Sequence, residues 1–154
     1  MAAENNTGET MQNFPRRVLI IDDDPILRVV LQQFFNEHGS IAVDQAENGQ
    51  TAQEAIGRAS EPYDLTTLDL SMPGVDGFEF LTYLKQHNVE MRVLIISSLP
   101  APVIRMAEAL ADFKALNAIG HLRKPVSATA LHAILNGQVW QPHDESRPLL
   151  QANA

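Results

Sequence analysis

The 154-residue chain contains no cysteine, which excludes a disulfide framework and any cysteine-ligated zinc site. Basic residues are scarce: 11 Lys and Arg stand against 19 Asp and Glu, for a formal net charge of −8. That balance argues against non-specific nucleic-acid binding, which needs clustered cations. No apolar stretch approaches the roughly 20 residues of a membrane span, so no membrane insertion is expected. The N-terminal stretch MAAENNTGETMQNFP lacks the apolar h-region of a secretory signal, and a cytoplasmic protein is the expectation. What the chain does have is the length of one domain with tails and 45% hydrophobic residues, enough for a core.

Residues 1–15 have the composition of a disordered tail ending at Pro15, and residues 138–154 read as a polar, proline-containing tail or linker. Between them, residues 16–137 read as the folded domain. Val18-Leu19-Ile20-Ile21 is a short, wholly apolar run, which fits a strand buried on both faces. Ile26, Leu27, Val30, Leu31, Phe34 and Phe35 follow at helical spacing. Asp24-Pro25 before them reads as N-cap and first helical residue, and His38-Gly39 as the stop. Further strands are expected over Ile41–Ala46, Leu65–Leu68, Arg92–Ile96 and Ala118–Leu122. Helices are expected over Thr51–Ala59 (after an Asn48-Gly49 turn signal), from Asp76-Gly77 to about Gln86, from Pro102 to about Leu116, and after a Ser127 cap through Ala128, Leu131, Ile134 and Leu135.

Strand and helix alternate five times. The implied class is α/β: a flavodoxin-like, doubly wound five-stranded parallel sheet in order 2-1-3-4-5, with five helices and right-handed crossovers. In that order the first and third strands are neighbours, and ligands bind at the C-terminal strand ends near the switch point. Asp22, Asp23 and Asp24 directly follow the first strand, and Asp69 directly follows the third. Adjacent strands lie roughly 4.8 Å apart, so Asp22, Asp23 and Asp69 converge at one edge. Carboxylates crowded together take up a proton or a hard cation. Magnesium suits such an oxygen donor set and is typically shared with a phosphate. An aspartate after a strand is also an ordinary turn or cap residue, and Asp24, next to Pro25, reads that way. Ser97 and Ser98 follow the fourth strand and Lys124-Pro125 the fifth, at the same edge. Alone, Lys124 reads as a surface charge and Ser97 as a loop cap. Together with three carboxylates they form a phosphate-sized constellation, because phosphoryl transfer needs mainly positioning and charge neutralisation.

The stretches VLIIDDDPILR, LDLSMPGVDGFEFL, VLIISS and HLRKPV resemble, in order, the signatures of response-regulator receiver domains over roughly residues 16–136. The resemblance implies a two-component phosphorylation switch that catalyses only its own phosphorylation and slow dephosphorylation. Asp69 would be the phosphoacceptor. Mg2+ would be bound directly by Asp23 and Asp69, through water by Asp22, and by the backbone carbonyl of Ser71. Ser97 would be the switch hydroxyl, Lys124 the phosphate-pairing lysine, and Lys124-Pro125 a cis peptide. The phosphodonor would be a sensor histidine kinase or a histidine phosphotransfer protein, or a small acyl phosphate, and the output a downstream protein target that the sequence does not name. Receivers pair through the fourth-helix to fifth-helix face, so a homodimer is one assembly to test.

The chain departs from the family at several points. Thr66 and Thr67 stand where aliphatic residues are usual, so one of them needs a hydrogen bond if buried. His121 occupies the fifth-strand position of the family's switch aromatic; it is either a half-exposed histidine without a role or a switch rotamer sensitive to pH. The segment ALADFKALNAIGHLRKP lengthens the path from Ser97 to Lys124 and resembles receivers of cyclic-di-GMP phosphodiesterase regulators. Trp140, the sole tryptophan, reads as packing at the end of the last helix. Two other readings stay open at this point. One is a receiver-like interaction module working without phosphate. The other is a haloacid-dehalogenase-like phosphatase, in which Asp22 rather than Asp69 would be the nucleophile.

Overall fold

The structure, a computed structural model, describes residues 14–40, 42–113 and 116–137. Ten elements alternate along it: β1 (Arg17–Ile21), α1 (Pro25–Glu37), β2 (Ala42–Ala46), α2 (Gly49–Arg58), β3 (Leu65–Leu68), α3 (Gly77–Gln86), β4 (Arg92–Ser97), α4 (Ala101–Phe113), β5 (Asn117–Arg123) and α5 (Ala128–Leu135). The five strands pair in parallel in the order β2-β1-β3-β4-β5, the expected doubly wound sheet.

Strand periodicity decides the two layers. In β1, Val18 and Ile20 point to a core shared with α1 and α5, while Leu19 and Ile21 point to a core shared with α2, α3 and α4. All four are at most 1% exposed, and each contributes about 1.5–3 kcal/mol relative to an exposed side chain. Strand β1 is thus fixed from both faces, and its C-terminal end is a rigid place to mount a site.

Several boundaries move for local reasons. Helix α2 begins at Gly49, two residues before the expected Thr51, because Asn48 is its cap and not a turn. The Asn48 side chain accepts from Thr51 N at 2.9 Å, and Thr51 Oγ1 accepts from Asn48 N at 3.2 Å; this reciprocal pair closes a capping box. Helix α4 begins at Ala101, where Pro100 O accepts from Val103 N and Ile104 N. Its expected end near Leu116 is corrected: the described helix stops at Phe113, residues 114 and 115 lie outside the description, and Leu116 leads into β5. Ile41 and residues 138–154, Trp140 among them, also lie outside the described residues.

Packing contacts reach a residue that precedes the expected domain start at residue 16. Phe14 is buried and stacks on His38 with ring centroids 5.5 Å apart; an aromatic ring of that size gains more from the core than from water. Both threonines of β3 are buried. Thr66 Oγ1 donates to Leu19 O at 2.9 Å, whereas the Thr67 hydroxyl has no partner among the described residues. The Lys124-Pro125 peptide is cis, as the resemblance implied.

Candidate phosphoryl-acceptor site

The sheet's hydrogen bonding continues past the strand ends and aligns the site. Asp22 N donates to Ala46 O at 3.1 Å, Asp69 N to Ile21 O at 3.0 Å, and Lys124 N to Ser97 O at 3.0 Å. The side chains of Asp22, Asp69 and Lys124 therefore leave a backbone already tied to the neighbouring strand. The carboxylates of Asp22, Asp23 and Asp69 each place an oxygen within 4.8 Å of the others. Asp22 and Asp69 are buried and Asp23 is exposed.

Lys124 closes the cluster. Its Nζ lies 2.8 Å from Asp22 Oδ2 and 3.2 Å from Asp69 Oδ2. The remaining oxygens are held by main chain: Asp22 Oδ1 accepts from Asp24 N at 2.8 Å, and Asp69 Oδ1 from Ser71 N at 3.2 Å. Asp24 is the helix cap the sequence suggested, its side chain accepting from Ile26 N at 2.9 Å.

The electrostatics are those of a cation-deficient site. Burial pushes the Asp69 carboxyl up to about 6; Lys124 opposes that shift and Asp22 adds to it. Burial likewise raises Asp22 above the ordinary carboxylate value, against the hydrogen bond from Lys124. Burial works against the Lys124 charge, but Asp22 and Asp69 outweigh it and hold its pKa above the ordinary lysine value. One ammonium, bonded to two of the three carboxylates, leaves negative charge uncompensated. Three convergent oxygen donors with that deficit fit a small divalent cation.

The other expected residues are placed as follows. Ser97 is fully buried at the end of β4, and its Oγ accepts from Leu99 N at 3.1 Å instead of meeting a carboxylate. Ser71 is exposed beside Asp69 and supplies the main-chain N–H noted above. His121 is outside the cluster. It lies opposite Ile95 of β4, with Nδ1 2.7 Å from Oε1 of Glu108 on α4.

Two supports went unread in the sequence. A Cβ on Gly77 would lie 2.7 Å from both Asp69 O and Leu70 Cα, so only glycine lets α3 start directly beneath the Asp69 turn. The glycine after an aspartate cap was the available signal. Glu108, the partner of His121, carried no such signal, because the length and phase of α4 decide which side chain meets β5.

Known proteins agree with this geometry. The family described as Response regulator receiver domain matches residues 18–136. The chain is 35% identical over 122 residues to the two-component response regulator ORR41 of Oryza sativa subsp. japonica, covering 77% of this chain and 91% of that protein. A response regulator from Colwellia psychrerythraea superposes with a TM-score of 0.66 at 27% identity, covering 78% of this chain and 93% of that one. The response regulator TrrA from Thermotoga maritima, solved in complex with Mg(2+)-BeF, gives a TM-score of 0.57 at 27% identity over 71% of this chain and 86% of that one. With the strand order, the acidic cluster and the bridging lysine in place, the chain belongs to the response regulator receiver domain family and is a phosphorylation-dependent two-component switch.

Proposed function

We propose that Asp69 is the residue this switch phosphorylates. The observation that carries the reading is the position of Lys124, whose ammonium bridges Asp22 at 2.8 Å and Asp69 at 3.2 Å from a third strand end. An Asp69 oxygen attacks phosphorus of a phosphohistidine on a histidine kinase or phosphotransfer protein. The new O–P bond forms as the N–P bond breaks, and the histidine nitrogen leaves with the electron pair. Lys124 then turns from the free carboxylate to the phosphoryl oxygens, where its charge is worth more.

Asp22, Asp23, Asp69 and the Ser71 carbonyl are the residues that would hold Mg2+, with Asp22 acting through water. The ion supplies neutralisation of charge on the phosphoryl oxygens. The Mg(2+)-BeF complex named for the Thermotoga maritima relative supports this choice of metal. Ser97 is the hydroxyl that follows the phosphoryl group. To do so it gives up its bond from Leu99 N, which makes the β4–α4 loop the first segment to respond. His121 is the switch residue on β5, released when its bond to Glu108 breaks, so that the α4–β5–α5 face meets the downstream protein or a second copy. The folded unit is the segment from Phe14 to Gly137, and the cytoplasm is its proposed location; no helix among the described residues is long and apolar enough to cross a membrane.

Incubation with Mg2+ and acetyl phosphate tests the reading. The expected product is one acid-stable, hydroxylamine-labile phosphoryl group, absent in Asp69→Asn. Persistence of the label in Asp69→Asn overturns the assignment. A multiple-turnover phosphatase rate lost only in Asp22→Asn would point instead to the dehalogenase-like chemistry.

A further inference from the structure

Among the acids of the site, Asp23 is the least supported. Its side chain is exposed and makes no hydrogen bond or ion pair among the described residues. Asp22 and Asp69, by contrast, each have both carboxylate oxygens engaged. The aim of Asp23 is therefore set by its backbone, and first of all by the peptide plane that joins it to Asp22. The carbonyl of that plane has one partner: Arg28 of α1, whose guanidinium Nη1 donates to Asp22 O at 2.6 Å. The same guanidinium donates from Nε to Gln45 Oε1 on β2 at 3.1 Å, and Gln45 in turn hydrogen-bonds Gln32 on α1.

The placement is not what helix electrostatics favours. Arg28 N makes the first hydrogen bond of α1, to Asp24 O at 3.1 Å, so the side chain stands at the positive end of the helix. No acid occupies that first turn. Side chains on a helix lean back towards its N-terminus, which is what lets Arg28 reach a carbonyl six positions earlier. A cation held at the wrong end of a dipole, half-buried and bonded at two of its nitrogens, is fixed by the two acceptors it serves.

We propose that Arg28 is a positioning residue for the metal-binding turn: anchored to β2 through Gln45, it fixes the Asp22–Asp23 peptide and so aims Asp23 at the cation. The inference rests on the reading of Asp22, Asp23 and Asp69 as the Mg2+ site. It assigns Arg28 no contact with the ion or the phosphoryl group. It also opposes a simple charge argument, because removing a nearby cation should by itself tighten Mg2+ binding.

The test is Mg2+ binding by titration calorimetry on the full chain, for wild type, Arg28→Met, Arg28→Lys, Gln45→Leu and Asp23→Asn. Arg28→Met is expected to weaken binding about ten-fold, the low end of what outer-shell partners of metal ligands are worth. Arg28→Lys keeps one donor for the Asp22 carbonyl and should recover part of that loss. Gln45→Leu, which frees only Nε of the guanidinium and leaves the Nη1 bond to Asp22 O, should lose less than Arg28→Met. At saturating Mg2+ and acetyl phosphate, the phosphorylation rate of each Arg28 variant should stay within about two-fold of wild type, since the reacting groups are untouched. Unchanged or tighter Mg2+ binding in Arg28→Met overturns the inference. Should that variant fail to fold, unchanged binding in both Arg28→Lys and Gln45→Leu overturns it equally. Failure of the underlying reading looks different: wild type and Asp23→Asn would then bind Mg2+ alike, or not at all.

Discussion

The acidic site and the α4–β5 face share one sheet but are built in opposite ways. At the site, strand-to-strand hydrogen bonds run to the last residue, and the two buried carboxylates have main-chain and lysine partners. On the α4–β5 face, the β4–β5 register slips between Val93 and Leu94, and β5 is only half-buried from Ala118 to His121. Met106 of α4 is 65% exposed, and a side-chain contact between His121 and Glu108 joins α4 to β5. The difference separates two jobs. Chemistry needs groups held still; a readout needs an element that can adopt a second arrangement at small cost.

The largest effect should come from attacking the rigid half. Gly77→Ala forces a Cβ against the backbone of Asp69 and Leu70, where no flexible side chain can give way. We expect a loss of about 3 kcal/mol in urea unfolding, the upper part of the range for overpacking a tight site. Magnesium affinity should fall with it, since the helix start and the Asp69 turn are packed together. A stable Gly77→Ala variant with normal Mg2+ binding would show that the site is less tightly built than its contacts imply.

Next in size is the pH dependence stored in Asp69. Its folded pKa stands at about 6, against an ordinary value of 3.8. Between these values the folded chain holds a proton that the unfolded chain has released. Stability from this group is therefore fully present below about pH 4 and is lost as pH rises through about 6. The loss amounts to roughly 2–3 kcal/mol, because each pKa unit is worth about 1.4 kcal/mol. Without divalent cations, wild type should be more stable at pH 5 than at pH 7 by about 1.3 kcal/mol relative to Asp69→Asn, which lacks the titration; the rest of the difference lies below pH 5. Saturating Mg2+ should restore stability at pH 7 in wild type and do little in the variant. Parallel pH profiles for the two proteins would contradict the burial argument.

How much of this was readable beforehand follows the same division. The sheet order and the convergence of Asp22, Asp23, Asp69 and Lys124 were legible, because apolar runs fix the strands and parallel topology fixes which ends meet. Asp24 was legible as a cap, since an Asp-Pro pair before a helical pattern has a local cause. What stayed hidden depends on tertiary contact. Asn48-Gly49 has the composition of a turn, and only its pairing with Thr51 makes it a helix start. Phe14 sits in a polar stretch, and its burial follows from Phe34 and His38 meeting at the sheet's far end. The bonds of Arg28 and Glu108 reach across elements, so no spacing rule finds them. The Ser97–Leu99 bond shows a hydroxyl placed by strand geometry but turned by its own loop.

Thr66 and Thr67 give a smaller test, inside the strand that carries Asp69. Both are buried, but only Thr66 has a partner, Leu19 O. Thr66→Val should cost about 1 kcal/mol by removing a buried hydrogen bond, and Thr67→Val should gain up to about 1 kcal/mol by removing an unpaired hydroxyl. Opposite signs at adjacent positions, read by thermal or urea unfolding, are the expected result. Equal signs would mean that the Thr67 hydroxyl has a partner after all, or that the Thr66 bond contributes nothing.

The smallest stability effect, and the sharpest test of the comparison, lies at Glu108. Both members of the His121–Glu108 pair are more than a quarter exposed, and such pairs are worth about 0.5 kcal/mol or less. Glu108→Gln should therefore barely move the unfolding midpoint and should leave Mg2+ affinity at the wild-type value. Its effect should appear in amide NMR spectra of the unphosphorylated protein, where α4 and β5 resonances shift towards the positions wild type reaches with beryllofluoride and Mg2+. That result would make the contact a weak clasp on a surface poised between two arrangements, with the chemistry insulated from it. If Glu108→Gln instead weakened Mg2+ binding as much as Arg28→Met, the two halves would be one mechanical unit. The switch would then need more than the release of His121, because every rearrangement at α4 would have to work against the hydrogen bonds that hold the site.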